Sequence, residues 1–106
     1  MRPIARKFEI PTTIDEVAEL IIGDLPLREK VDLARLEPEH LAAIDDSLGP
    51  FINEEFMLFK GNFMLFDDCM RYAEDMNLET GDASMAVIYR IWQKLKGTHR
   101  LRLVKS

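Results

Sequence analysis

At 106 residues, with 47% hydrophobic and 31% charged side chains, the chain has the length of one domain and the balance of a globular protein rather than a disordered one. The net charge of −5 hides an uneven distribution: residues 1–10 carry +2, residues 94–106 carry +5, and residues 11–93 hold 6 basic and 18 acidic side chains, a net of −12. The acidic body disfavours nucleic acid as a partner, and the apolar runs break well short of the roughly 18 residues that a membrane span needs.

Size scaling expects about two-thirds of the unfolded surface to be buried, enough for one core without covalent staples. The single Cys69 has no partner for an internal disulfide. The first residues lack the apolar stretch of a signal peptide, so the expected location is a reducing cytoplasm. The expected organisation is a single domain over 1–106, with a core at about 12–97 and basic terminal segments at 1–10 and 98–106.

Thr13-Ile14-Asp15-Glu16 places a hydroxyl at a helix N-cap and a carboxylate three residues later, and Ile14, Val17, Ala18 and Ile21 follow at helical spacing. This predicts a first helix over about 14–22, closed by Gly23-Asp24. Pro26 suits the first turn of a second, shorter helix with Leu27, Val31 and Ala34 as its stripe. After Pro38, a third stripe runs through Leu41, Ile44, Leu48, Ile52, Phe56 and Phe59, at an average interval of 3.6 residues. It crosses Gly49-Pro50, where proline removes a backbone donor, so a kink or a break is expected there.

The block Phe-Met-Leu-Phe occurs twice, on either side of Lys60-Gly61-Asn62. Neither copy alternates as a half-buried strand does, and methionine and leucine favour helices. Gly61 fits a left-handed residue closing one helix and Asn62 the N-cap of the next, whose stripe is Leu65, Cys69, Ala73 and Met76. The doubled block is therefore expected to be the corner of a helical hairpin. A final helix starts after Asp82, carries Met85, Ile88, Ile91, Trp92 and Leu95 on one face, and is expected to end at Gly97. The alternation in "HRLRLV", matched by the spacing of Ile4, Phe8 and Ile10, allows the two termini to pair as strands, within one chain or between two copies.

Chemistry is mostly excluded. Gly49 and Glu55 sit six residues apart like the sixth and twelfth positions of a calcium-binding loop, but Ile44 and Leu48 would then occupy positions that need oxygen donors. One Glu-x-x-His, at Glu37 to His40, is half of what a di-iron bundle requires, and one cysteine with two histidines is too few for a common zinc site. Cys69 stands on an apolar stripe beside Asp67 and Asp68, which raise rather than lower a thiol pKa. No phosphate loop, nucleophile elbow or zinc-protease motif is present. No catalytic, metal or cofactor residue is assigned.

Leu48, Gly49, Ile52, Phe56, Leu58, Gly61, Asn62 and Leu65, followed by Asp82, Ala83, Ser84, Ile88, Trp92 and Leu95, resemble an uncharacterised family of small bacterial helical domains. Its pattern reads approximately LGxWIRNxFGLWxGNxxLL and later DDASxxIIxxLWxxL. A weaker match at "TTIDEVAELI" extends the resemblance over about 12–96. It implies a shared helical fold and, since the family has no known function, no activity. The chain departs from the pattern at Asn53 and Glu54, where the family has Arg and Asn, at Met57 for Gly, and at Phe59 for Trp.

The expectation is an all-α bundle of four or five helices, with a small terminal strand pair as a further element. Its expected role is a non-enzymatic interaction or regulatory module with an unidentified protein partner. Asn53, Glu54, Glu55, Met57, Phe63 and Met64 form the expected binding surface. Two alternatives stand beside it: contact of Arg100, Arg102 and Lys105 with nucleic acid, and an enzyme whose pocket gathers distant carboxylates. Self-association through the terminal segments is a further expectation.

Overall fold

The computed structural model describes the backbone of residues 10–105 apart from residues 57 and 59, and side chains as far as Gly97. Five α-helices follow one another: α1 (Ile14–Asp24), α2 (Leu27–Ala34), α3 (Leu41–Glu55), α4 (Phe63–Asp75) and α5 (Ala83–Lys105), with a short 3-10 turn at Pro38–His40 leading into α3. This is the all-α bundle that the periodicity predicts.

Local chemistry sets the ends of the helices. Thr13 is extended and its Oγ1 accepts from the Glu16 N–H at 3.2 Å, while Glu16 Oε1 reaches back to the Thr12 N–H at 3.2 Å. The capping box therefore forms, with its return bond one residue earlier than in the usual motif. A second carboxylate comes from elsewhere in the chain: the Ile14 N–H donates to Asp68 Oδ2 at 2.7 Å, so α4 helps to cap α1. At the other end of α4, Asn77 is left-handed (φ 59°), with the Asn77 N–H bonded to Glu74 O at 3.1 Å and the Leu78 N–H to Ala73 O at 2.8 Å. These two bonds make a Schellman cap.

Helix α5 packs against each of the other four. Its buried face is Ala83, Ala86, Val87, Ile88, Ile91, Trp92 and Leu95, and it meets Val17 and Ala18 of α1, Ala34 of α2, Leu41 and Ile52 of α3, and Leu65, Cys69 and Ala73 of α4 in one core. Val17, Leu41, Ile52, Leu65 and Val87 are fully enclosed, and each such side chain contributes about 1.5–3 kcal/mol. Trp92 also donates from Nε1 to the Leu36 carbonyl at 2.9 Å, tying the segment after α2 to the core.

A close polar contact joins α3 to α5. Ser84, 2% exposed, donates from Oγ to Asp45 Oδ1 at 2.6 Å. A methyl group on Gly49 would lie 2.6 Å from that same Asp45 oxygen and 3.1 Å from Ser84 Oγ. A side chain at 49 would therefore have to displace the Asp45 carboxylate, and with it the hydrogen bond from Ser84.

Several expectations need correction. Of the kink or break expected at Gly49-Pro50, the break does not occur, and α3 continues through both residues; the residue before a proline is normally pushed out of the helical region by its own Cβ, and Gly49 has none. Helix α5 does not stop at Gly97 but continues to Lys105, because one glycine costs a helix only about 1 kcal/mol and the following arginines and leucines are good helix formers. The C-terminal half of the anticipated strand pair is therefore helical; its partner segment lies outside the described residues except for Ile10, and no strand occurs among those described. Pro26 is the N-cap of α2, not a first-turn residue, and Leu27 beside it is exposed, as is Met76 at the end of α4.

Gly49→Ala is expected to lower stability by about 1–3 kcal/mol through overpacking. Gly23→Ala, with nothing within 4 Å of the added methyl, is expected to raise it by up to about 1 kcal/mol through helix propensity. Urea titration of the two variants checks both signs.

Candidate functional site

The corner between α3 and α4 is built around Asn62. Its Oδ1 accepts from the Leu65 N–H at 3.3 Å, capping α4. Its Nδ2 donates to Phe56 O at 2.9 Å and to Pro11 O at 3.0 Å. One amide thereby starts α4, holds the end of α3 against that start, and anchors the segment entering α1. Gly61, at φ +115°, supplies a backbone conformation that other residues rarely adopt.

The two copies of the doubled block part company here. In the first, Phe56 and Leu58 are buried, at 7% and 4% exposure, with the Leu58 N–H bonded to Asn53 O at 2.9 Å. In the second, Leu65 is fully enclosed while Phe63 and Met64 stand 73% and 68% exposed. The first turn of α4 cannot turn all its apolar side chains inward, because the core lies on one side of the helix.

Of the residues singled out from the sequence, Glu54 and Glu55 are exposed on the last turn of α3, across the corner from Phe63 and Met64. Asn53 is half-buried and its Oδ1 is closed off without a donor, so its amide oxygen faces inward. Met57 lies outside the described residues. Arg100, Arg102 and Lys105 belong by their backbone to the last turns of α5, and their side chains are outside the description. One residue was missed: Phe51, 52% exposed, lies three and four residues before Glu54 and Glu55 and shares their face of α3. Its signal was an aromatic residue off the α3 stripe.

A second polar assembly joins α1, α4 and α5. Arg90 Nε donates to Asp15 Oδ1 at 2.7 Å, and Lys94 Nζ lies 3.8 Å from that oxygen and 3.0 Å from Glu19 Oε2. The hydrogen bond from Arg90 holds the Asp15 carboxyl below its ordinary range, and the same bond raises Arg90. Tyr72 is pushed up to about 12, chiefly by burial. Arg90 and Asp15 are 75 residues apart, which is why no sequence pattern announced the assembly.

Among the described residues no three His, Cys, Asp or Glu side chains converge to hold a metal ion, and no helix is long and apolar enough to cross a membrane. Cys69 is wholly enclosed; burial, with a smaller contribution from Asp68, pushes its thiol up to about 12. It is a packed core residue without the thiolate character of a nucleophile.

Comparisons with protein families, curated proteins and solved structures found no match to this chain. The resemblance described above therefore rests on its quoted residues alone.

Asn62→Ala removes a cap and leaves two carbonyls without their donor, and is expected to cost about 2–3 kcal/mol in a denaturant titration. For Cys69, a folded pKa above the unfolded value of 9.0 means that its contribution is present below about pH 9 and is lost as pH rises toward 12. Native protein should react with a thiol reagent at least roughly 1,000-fold more slowly than unfolded chain, since labelling requires opening of a core worth ~5 kcal/mol or more.

Proposed function

We propose that this protein is a non-enzymatic interaction module that docks a partner protein on the α3–α4 corner. The observation that supports this is the exposure of Phe63 and Met64 on the first turn of α4 and of Glu54 and Glu55 on the last turn of α3, two helix ends that Asn62 clamps together. Aromatic residues and methionine are enriched at protein interfaces, and a fixed backbone beneath them lowers the entropy lost on docking.

The charge around the patch selects the partner. The body carries a net −12 over residues 11–93, and two copies set corner to corner would bring four glutamates together. A protein presenting an apolar segment flanked by lysine or arginine has the complementary chemistry, and its approach is steered by the acidic field.

The test is quantitative capture from native-host lysate by the tagged protein, with nuclease present. Phe63→Ser with Met64→Ser is expected to remove the captured partner while far-ultraviolet circular dichroism stays unchanged. Glu54→Lys with Glu55→Lys should weaken capture and flatten its salt dependence. Undiminished capture by the apolar double variant would sink this surface, and capture abolished by nuclease would shift the role to the basic end of α5.

A further inference from the structure

Away from the corner, a groove of about 470 Å³ opens where α1, α4 and α5 converge, with the half-buried Tyr72, Arg90 and Gln93 in its lining. Hydrogen bonds tie these three side chains together. Tyr72 Oη and Arg90 Nη1 both donate to Gln93 Oε1, at 2.6 and 3.1 Å, and the Arg90 guanidinium lies 5.8 Å from the centre of the Tyr72 ring. With its oxygen taking two donors, the half-buried Gln93 is held in one amide orientation, and its Nε2 meets no acceptor among the described residues. A half-buried amide nitrogen with both protons free is a recognition group for a carboxylate.

The rim supplies charges of both signs. Arg71 and Asp75 are four residues apart on α4, yet they do not pair: Arg71 reaches only Asp68, at 3.9 Å, and Asp75 has no cation among the described residues. The other two acids are already engaged, Asp15 by Arg90 and Asp68 by the Ile14 N–H. Ile14 and Met76 give the groove an apolar side. Three carboxylates against two guanidinium groups make the groove slightly acidic, so a lone anion is repelled and a lone cation leaves the Gln93 donors empty. A ligand bearing both charges satisfies both ends without adding net charge.

We propose that this groove binds a small zwitterion, an amino acid with an apolar side chain. Its carboxylate meets Gln93 Nε2 and Arg71, its ammonium meets Asp75, and its side chain lies against Met76 and Ile14. This site is separate from the corner and does not depend on it.

The probe is L-leucine, titrated into the full chain and followed by two-dimensional NMR of the backbone amides. Two blocked forms are run beside it: N-acetyl-leucine, which lacks the ammonium, and leucinamide, which lacks the carboxylate. Saturable shifts confined to the groove, with each blocked form binding at least ~10-fold more weakly, are expected. Asp75→Asn, an exposed and unpaired position, should abolish the preference for leucine over N-acetyl-leucine without changing the spectrum elsewhere. Gln93→Glu, which keeps the acceptor for Tyr72 and Arg90, should weaken leucine at least ~10-fold. The proposal is overturned by absence of saturable shifts, by equal binding of the blocked forms, or by a preference for leucinamide, which would make the groove a cation site.

Discussion

The arrangement of this bundle depends on how closely α3 can approach α5. At Gly49 there is no side chain to hold the helices apart, and the space so freed is filled by the hydrogen bond from Ser84 to Asp45. A buried hydroxyl without a partner would cost about 1–3 kcal/mol; paired with a carboxylate at 2.6 Å it becomes a charge-assisted contact with a defined geometry. Apolar side chains alone would let two helices slide by a turn at modest cost, whereas this contact has one position. Because α1, α2 and α4 also rest on α5, the position of α5 against α3 sets the frame for them all.

The two surfaces considered above differ in how they are prepared. At the corner, Asn62 fixes backbone and leaves Phe63 and Met64 standing in solvent. In the groove, side chains fix one another, through Tyr72, Gln93, Arg90 and Asp15. The first arrangement suits a broad apolar contact, the second a small polar ligand.

Much of the core was legible because each helix buries one face. Leu41, Ile52, Phe56, Leu65, Cys69, Ala73, Ile88, Ile91, Trp92 and Leu95 lie on the stripes read at 3.6-residue spacing, and all are buried. Errors came where a local rule met a competing one. Gly97 reads as a stop, but a single glycine is weaker than the run of helix formers after it; Pro50 reads as a break, but Gly49 has no Cβ to crowd the proline ring, which relieves one of the strains that a proline brings to a helix. Exposure of Phe63 and Met64 followed from their place off the stripe of Leu65 and Cys69. The groove was illegible, since Asp15, Tyr72 and Gln93 become neighbours only after three helices have packed.

The central helix is also the last of the five in chain order. Helices α1 to α4 leave the ribosome first, and apart from the contact of α1 with α4 their main helix-to-helix packing is with α5. Until α5 emerges, the apolar faces of those four helices have nothing large to close on, so the cooperative core forms after synthesis of the body and not during it. The acidic character of residues 11–93 then has a role before any partner is met: like-charged nascent chains repel one another during the interval in which their apolar stripes are uncovered.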